Sequence, residues 1–388
     1  MKFSEKMGSQ KANILLDLDI EKRRLEAQGA EVINLSIGTP DFQPDRHVME
    51  AASRAALDPE NYKYSMTDSP ALVEAVMGWY SSRYGVTLTP EQITSVYGTQ
   101  EGMAHIAFPV CDPGDLCFVP DPGYPIFSFG PFLSGAELVK LPLVEKNRYL
   151  IDFDSIDPAV ADKAKLLVTS YPNNPLTACA DGDFYERLVF FAKRHDILVV
   201  HDNAYSELIL DGEPGISFLS VKGASEVGIE FNSLSKSYNL TGLRISFALG
   251  NEQVIQKFKS FRSQIDYGTC SIVQQAAIAA LTGPQDILER NRTGYRKRRD
   301  ALCGGLRSIG WDVPDSKGTM FTWFPIPKGY RNSEEFTFEL LAKAGVLCVP
   351  GASFGALGEG YVRMALVQPV ETMQRAVRKI AESGVLNR

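Results

Sequence analysis

The stretch VGIEFNSLSKSYNLTGLRISFALGN, residues 227–251, contains two short apolar runs separated by a polar segment. Short apolar runs that end in polar or turn-forming residues are typical of buried β-strands. Lys236 follows the first run and stands between two serines, and Arg244 stands just before the second run. A lysine at a strand end usually lays its stem along apolar surface and keeps its amine in water. An amine that is shielded from water near another cation instead loses its proton readily and can attack a carbonyl carbon.

Comparable apolar runs occur from about residue 90 to residue 285, and helical patterns alternate with them. Strands are predicted within DLCFVPDP, AKLLVTSYP and DILVVHDNAY, which begin at residues 115, 164 and 196. Helices are predicted within residues 181–196 and 251–264, because apolar side chains recur there at positions i, i+4 and i+7. This alternation predicts βαβ units and therefore an α/β fold with a mostly parallel sheet between layers of helices. Ligands of such sheets bind at the carboxyl ends of the strands.

The chain has 388 residues, which is long enough for two domains. The α/β alternation predicts a large domain over residues 46–285. Residues 1–45 and 286–388 are predicted to form a smaller α+β domain, because a helical segment rich in Arg and Lys leads there into a different order of strands and helices.

The composition argues against several classes of binding partner. A net charge of −7 gives no reason to expect nucleic acid or an anionic membrane, so an anionic ligand must be held by a few placed cations and backbone N–H groups. No apolar run approaches the length of roughly 18 residues that a membrane span needs, and the first residues lack the apolar region of a secretory signal. The six cysteines contain no C-x-x-C pair and the four histidines show no metal-ligand spacing. We therefore expect a cytoplasmic protein with reduced core thiols and no metal.

Polar residues follow two of the predicted strands. Asp202 ends the apolar run of DILVVHDNAY, and Tyr205 comes three residues later. A carboxylate at that position is costly unless it is paired, so Asp202 either joins a core salt bridge or holds a ligand nitrogen in its protonated form beside Tyr205. Asn174 follows AKLLVTSYP, where Asn-Pro alone predicts a turn. Its amide could also donate to a ligand oxygen.

Three further segments contain candidate ligand contacts. In YGTQEG, Gly98 follows a short strand and opens a helix, so the backbone N–H groups of Thr99 and Gln100 could bind an anion. Tyr124, in DPGYPIF, is either a core aromatic residue or a ring stacked on a flat ligand. Arg363 lies inside the apolar strand of GEGYVRMAL, where a buried guanidinium needs an acceptor and its planar fork suits a carboxylate.

One ligand accounts for these residues together. Pyridoxal 5′-phosphate is an aromatic aldehyde with a ring nitrogen, a phenolic oxygen and a phosphate, and each of these groups matches one of the candidate residue types. The sequence contains neither a P-loop motif nor a G-x-G-x-x-G motif. The absence of the second motif argues against a Rossmann-type NAD enzyme, which the α/β pattern alone would allow.

From INLSIGTPDF to GEGYVRMAL, with the spacings D-x-x-Y and S-x-x-K-x₇-R, the chain resembles the class I/II aminotransferases of PLP-dependent fold type I. The resemblance implies a large domain with a mostly parallel seven-stranded sheet and a smaller α+β domain formed by both termini. It implies that Lys236 forms the Schiff base with pyridoxal 5′-phosphate and that Asp202 pairs with the pyridine nitrogen. It also implies that Tyr205 and Asn174 contact the phenolic oxygen of the cofactor and that Tyr124 stacks on its ring. The phosphate would be bound by Thr99, Gln100, Ser233 and Arg244. The substrate would be bound by Arg363, Gly38 and Asn174.

The resemblance extends to assembly. Tyr64, in NYKYSMTDSP, resembles the tyrosine that reaches across a dimer interface to the neighbour's phosphate, which implies a homodimer with shared active sites. The motifs look most like the branch that contains LL-diaminopimelate and alanine-type aminotransferases. The chain departs from that pattern where the usual Asn-Pro-Thr-Gly ends in Leu176-Thr177, and where Leu243 replaces a common tryptophan.

The activity that the resemblance implies is a ping-pong transfer of an amino group from an L-amino acid to a 2-oxo acid such as 2-oxoglutarate. The same residues serve PLP-dependent carbon–sulfur β-lyases, which are one alternative. A non-enzymatic regulator with an aminotransferase-like domain is another alternative. Such regulators carry an additional N-terminal DNA-binding domain, whereas only about 30 residues precede the match in this sequence, and every cofactor position is filled. The sequence does not identify the amino donor.

Overall fold

A computed structural model describes residues 4, 6, 14–212 and 214–387 of the chain. The chain divides into two compact units. The large unit comprises Thr39–Gly294 and Lys317–Thr319, and the small unit comprises Met1–Gly38, Tyr295–Ser316 and Met320–Arg388. These units are defined by contacts. The predicted domain bounds, 46–285 and 1–45 with 286–388, stay a prediction.

The regular elements are numbered along the chain. The strands are β1 Ile33–Asn34, β2 Ile93–Val96, β3 Leu116–Asp121, β4 Glu137–Pro142, β5 Ala164–Ser170, β6 Leu198–Asp202, β7 Gly228–Ser233, β8 Ser246–Gly250, β9 Phe321–Pro325, β10 Val346–Leu347, β11 Val349–Pro350 and β12 Tyr361–Ala365. The helices are α1 Ile14–Ala27, α2 Arg46–Ala56, α3 Pro70–Tyr84, α4 Thr99–His105, α5 Ile126–Ser134, α6 Pro158–Ala161, α7 Gly182–His195, α8 Ala224–Val227, α9 Leu234–Ser237, α10 Glu252–Arg262, α11 Ser271–Thr282, α12 Asp286–Ser308, α13 Ser333–Ala344 and α14 Val370–Ser383.

The large unit contains a seven-stranded sheet with the order β2-β8-β7-β6-β5-β3-β4. Strands β4, β3, β5, β6 and β7 pair in parallel, whereas β8 is antiparallel to both β7 and β2. The predicted α/β class with a mostly parallel seven-stranded sheet is therefore confirmed. The reversal of β8 matters for the site, because it brings the start of β8 to the edge where the other strands end.

Helix α7 illustrates why the sequence forms these elements. The Asp181 carboxylate accepts the N–H of Phe184 at 3.0 Å and so caps the first turn. Phe184, Leu188 and Phe191 are all buried, as their spacing predicted. Burying a side chain of this size stabilises the fold by about 1.5–3 kcal/mol. On the other predicted helix, α10, Phe258 belongs to the buried cluster that includes strands β2, β3, β5, β6, β7 and β8.

The small unit has its own strands and core. Strands β11, β12 and β9 form an antiparallel sheet in that order, and β1 pairs in parallel with β10. Leu18, Leu341 and Leu347 join helices α1 and α13 to β10 in a buried cluster. The strand predicted within GEGYVRMAL is formed as β12, which pairs with β9.

The cysteines only partly match the expectation of core thiols. All six are free, and Cys111, Cys117, Cys303 and Cys348 are buried. Cys270 is exposed, so the expectation is wrong for that residue, because it lies at the N-cap of α11 rather than on a packed face. In the part of the chain that is described, no helix is long and apolar enough to cross a membrane, and no group of three or more His, Cys, Asp or Glu side chains is arranged to hold a metal ion.

Candidate active site

Neighbouring strands of the large sheet end together and gather the predicted residues. Asp202, the last residue of β6, is paired in register with Ser170 at the end of β5 and with Phe231 in β7. Ser233, the last residue of β7, is paired with Ser246 at the start of β8. Residues that follow β7 and residues that precede β8 therefore lie at one edge, which includes both Lys236 and Arg244.

Asp202 is a buried carboxylate with little local compensation. It is 6% exposed, and its Oδ1 accepts the backbone N–H of Ala204 at 3.1 Å. Desolvation raises the pKa of Asp202 to about 7, although the Ala204 N–H opposes this, and the Glu230 carboxylate adds to the rise. Within the described ranges, no Lys, Arg or His side chain forms an ion pair with Asp202. The core salt bridge that was one reading of Asp202 is thus not formed by these residues.

Glu230 is a second buried acid, which the sequence patterns did not single out. It lies in β7, opposite His201 in register, and is fully buried. Its carboxylate accepts hydrogen bonds from the Tyr80 hydroxyl, the Ser217 hydroxyl and the Phe218 N–H, each at 2.8 Å. Desolvation raises its pKa to about 6 against these donors. Since side chains of successive strand residues point to opposite faces, Glu230 lies on the sheet face opposite to Asp202.

Lys236 lies in α9, a helix of four residues that directly follows β7. The Ser233 hydroxyl oxygen caps this helix by accepting the N–H of Ser235 at 3.1 Å, and it also accepts the Ser246 hydroxyl at 2.8 Å. The Lys236 residue is half-buried. The Ser233 hydroxyl, three residues before the lysine, thus fixes the turn that presents it.

Arg244 adjoins the start of α4. Its Nη2 donates to the carbonyl of Tyr97 and its Nη1 donates to the carbonyl of Thr241, both at 2.9 Å. Gly98, the N-cap of α4, has φ of 92°, and a Cβ on it would clash with the Arg244 guanidinium. Only glycine allows this close approach at that backbone conformation. The predicted phosphate residues Thr99 and Gln100 are the first two residues of α4, so their N–H groups have no partner within the helix.

Three further candidates of the large unit lie in the turns after strands. The Tyr124 hydroxyl donates to Oε1 of Gln100 at 3.1 Å, which joins the predicted stacking residue to the predicted phosphate residues. Asn174 is buried in the turn after β5, where the Asn173 amide donates to the Ser170 carbonyl at 3.0 Å. Tyr205 is buried in the turn after β6.

Tyr64 lies apart from these contacts. It is 77% exposed, and its ring centre is 4.7 Å from that of Tyr267. The backbone beside it is fixed to the same segment, because the Met66 N–H donates to the Tyr267 carbonyl at 2.9 Å.

Arg363 and Gly38 belong to the small unit. Arg363 lies in β12 and is 7% exposed, and its Nη2 donates to the Ser36 carbonyl at 3.0 Å. The rings of Phe321 and Phe354 both lie against its guanidinium. A Cβ on Gly38 would overlap the Phe321 ring, so glycine is needed for this packing. The sequence did not identify the two phenylalanines.

A mostly parallel sheet with a lysine, a buried aspartate and an arginine at its carboxyl edge defines an enzyme of the fold type I class. The chain belongs to the family described as aminotransferase class I and II, whose sequence profile matches residues 30–380. The resemblance, the fold and the aminotransferase function predicted from the motifs are therefore confirmed.

Relatives of this chain cover nearly its whole length. An LL-diaminopimelate aminotransferase of Dehalococcoides mccartyi is 41% identical over 98% of both chains, and one of Moorella thermoacetica is 44% identical over 93% of both. Among solved structures, substrate-bound BacF of Bacillus subtilis has a TM-score of 0.94 at 36% identity and 98% coverage of both chains. An aminotransferase of Staphylococcus aureus has a TM-score of 0.91 at 30% identity, with both chains covered completely. Enzymes of this family use pyridoxal 5′-phosphate and act on small amino and 2-oxo acids.

Proposed function

We propose that this aminotransferase binds pyridoxal 5′-phosphate at the carboxyl edge of the large sheet and transfers an amino group from an L-α-amino acid to a 2-oxo acid, with 2-oxoglutarate as the acceptor. The observation that carries the proposal is Asp202, a buried carboxylate that pairs with no cationic side chain in the described part of the chain. A protonated ring nitrogen would supply the missing positive charge. Ser170, which is paired with Asp202 in register, also has a buried Oγ without a hydrogen-bond partner among the described residues. This supports the presence of a polar ligand group at the same edge.

The residues at this edge fit the cofactor group by group. Lys236 would hold it covalently, and the Asp202 carboxylate would keep its ring nitrogen protonated. Tyr205 and Asn174 would hydrogen-bond the phenolic oxygen, and Tyr124 would stack on the ring. The phosphate would be held by backbone or side-chain donors at Thr99, Gln100, Ser233 and Arg244. When bound, the cofactor withdraws electrons from the substrate Cα and so makes its proton acidic.

The chain's own groups carry out the proton transfers and orient the substrate. The Lys236 amine, once released, would remove the proton from the substrate Cα as a general base and, as a general acid, would deliver it to the C4′ carbon of the cofactor. The negative charge of Asp202 would favour the cationic ring throughout, which stabilises the charge that develops at Cα. Arg363 would bind the substrate α-carboxylate through its fork, with Gly38 and Asn174 as neighbours of the substrate.

We further propose LL-diaminopimelate as the amino donor to be tried first. The relatives that carry this name share 38–44% identity with the chain over nearly its full length. A homodimer in which Tyr64 reaches the neighbour's phosphate, a cytoplasmic location and two domains with the predicted bounds belong to the same proposal. The exposed Tyr64–Tyr267 pair supports the dimer, because adjacent exposed aromatic rings are typical of interface residues.

The first experiment tests the covalent site. Purified protein would be loaded with pyridoxal 5′-phosphate, reduced with borohydride and digested, and the peptides examined by mass spectrometry. We expect a pyridoxyl adduct on Lys236, no adduct there in Lys236→Ala, and an unchanged adduct in Lys222→Ala, which removes an exposed lysine. An adduct on a different lysine, or none, would contradict the proposal.

The second experiment identifies the reaction. Glutamate formation from 2-oxoglutarate would be measured with LL-diaminopimelate, L-alanine and L-aspartate as donors. Release of pyruvate and ammonia from a sulfur-containing amino acid, without any amino acceptor, would favour a carbon–sulfur β-lyase instead. A strong preference for a donor other than LL-diaminopimelate would overturn the donor assignment and leave the cofactor assignment intact.

A further inference from the structure

A set of charged residues in the large unit, Arg262, Asp266 and Glu101, was not among the residues predicted from the sequence. Arg262, the last residue of α10, is 6% exposed. Its Nη2 donates to the Asp266 carboxylate at 3.0 Å, its Nη1 donates to the Ser95 carbonyl, and its Nε lies 3.5 Å from Oε1 of Glu101. One buried cation is thus shared by two carboxylates.

The position of Glu101 is electrostatically unexpected. It directly follows Thr99 and Gln100, the residues proposed to bind a phosphate dianion. Burial alone would raise the pKa of Glu101, but His105, Arg262 and the Tyr97 N–H together hold that pKa below its ordinary value. The carboxylate is therefore charged at neutral pH. Without a compensating cation it would repel the phosphate, since like charges repel each other strongly at short range near a protein surface.

Tyr97 connects this pair to Arg244. Its N–H donates to Oε2 of Glu101 at 3.0 Å, and its carbonyl accepts Nη2 of Arg244 at 2.9 Å. Its hydroxyl donates to the Gly268 carbonyl at 2.7 Å, and the Arg262 guanidinium lies 5.5 Å from the centre of its ring. A displacement of Glu101 would therefore release the Tyr97 N–H and allow the Tyr97 carbonyl, which orients Arg244, to move.

We propose that Arg262 is a positioning residue for the cofactor phosphate, because it neutralises Glu101 and thereby fixes Tyr97 where the Tyr97 carbonyl orients Arg244. This inference rests on the proposed function, since it presumes a phosphate at Arg244. Arg262 acts through Glu101 and Tyr97 and is not itself assigned a contact with the cofactor.

The test compares two ligands that differ only in the phosphate. Dissociation constants of cofactor-free protein would be measured by equilibrium dialysis for pyridoxal 5′-phosphate and for pyridoxal. We expect Arg262→Gln to weaken binding of the phosphorylated ligand by about tenfold or more, while binding of pyridoxal changes less than about threefold. A role in general stability would weaken both ligands alike. Arg187→Gln, which breaks an exposed ion pair with Asp154 in the same unit, is the matched control and should change neither constant.

A double-mutant cycle separates charge compensation from other losses. In a Glu101→Gln background there is no carboxylate to neutralise, so adding Arg262→Gln should cost less than about threefold in phosphate preference. If the cost remains tenfold there, the proposal is overturned. Glu101→Gln alone removes the charge that Arg262 is proposed to neutralise and keeps an acceptor for the Tyr97 N–H, so it should keep the preference within about threefold. A tenfold loss in Glu101→Gln also overturns the proposal, even if Arg262→Gln does not fold. Failure of the wild-type protein to bind pyridoxal 5′-phosphate at all would instead contradict the proposed function.

Discussion

The guanidinium carbon of Arg363 lies 4.1 Å from the centre of the Phe321 ring. Phe354 approaches the same carbon with its ring centre at 4.8 Å, and the Ser36 carbonyl accepts Nη2 at 3.0 Å. Aromatic faces attract a cation, so the two rings and the carbonyl hold the guanidinium in a defined orientation. A fixed planar fork is suited to two-point binding of a carboxylate, which a flexible ammonium group cannot reproduce.

Replacement of Arg363 by lysine should therefore impair donor binding although the charge is kept. We expect kcat/KM for the amino donor to fall about 100-fold, mainly through a higher KM, with the dissociation constant of pyridoxal 5′-phosphate unchanged. Steady-state kinetics with the preferred donor and a separate cofactor titration check the two parts. Arg375→Lys, which alters an ion pair with Glu31 in the same unit, is the control. Normal donor kinetics in Arg363→Lys would show that another residue binds the carboxylate.

Gly38 should matter through the same aromatic ring. A methyl group on Gly38 would overlap the Phe321 ring, so Gly38→Ala must displace that ring from the Arg363 guanidinium. We expect the donor KM to rise about tenfold, which corresponds to loss of a cation–π contact of 1–2 kcal/mol. Gly304→Ala is the control, because this helical glycine has no heavy atom within 4 Å of an added Cβ. That control should leave the kinetics unchanged and stabilise the protein by about 0.5–1 kcal/mol. Equal kinetic effects of the two variants would refute the explanation.

The sequence could predict Arg363 but not its neighbours. A guanidinium inside an apolar strand is a local signal, readable from GEGYVRMAL alone. Phe321 approaches it only because β12 pairs with β9, with Arg363 opposite Trp323 in register, and Phe354 arrives from a separate turn. Such contacts depend on pairing between residues far apart in sequence. For the same reason Arg262 could be placed on a helix, but its partnership with Glu101 could not be foreseen.

Asp202 should make the cofactor-free protein sensitive to pH. Its pKa is raised in the folded state, to about 7, so the folded state holds the proton more tightly than the unfolded chain, whose pKa is about 3.9. The stability contribution of this residue is therefore greatest below pH 4 and is lost as pH rises toward 7. Asp202→Asn removes the titrating group, so the cofactor-free variant should be more stable than the wild type at pH 8, by about 2–4 kcal/mol. The gain should shrink steadily toward pH 4.

Urea unfolding of cofactor-free protein between pH 4 and pH 8 measures this difference. Asp157→Asn, which replaces an exposed helix cap by another good capping residue, controls for loss of one negative charge. Asp202→Asn should also weaken the binding of pyridoxal 5′-phosphate, because the ring nitrogen loses its counter-ion. A pH-independent effect of Asp202→Asn on stability would mean that the carboxyl group does not change its protonation state over this range.

The turn after β5 departs from the family pattern in a way that should cost stability. Thr177, which stands where the resembled motif has glycine, has φ of 61° and is buried, and its N–H donates to the Asn173 carbonyl at 2.9 Å. The left-handed conformation costs a residue with a Cβ roughly 1–2 kcal/mol, and a β-branched residue is especially unfavourable there. Thr177→Gly removes this strain but adds about 0.5–1 kcal/mol of chain entropy to the unfolded state, so we expect a net gain of up to about 1 kcal/mol in the free energy of unfolding. Thr87→Gly is the control, since this exposed loop threonine is not at positive φ and its replacement should be neutral or destabilising. If Thr177→Gly instead lowers the stability by more than Thr87→Gly does, packing of the Thr177 side chain outweighs its backbone strain.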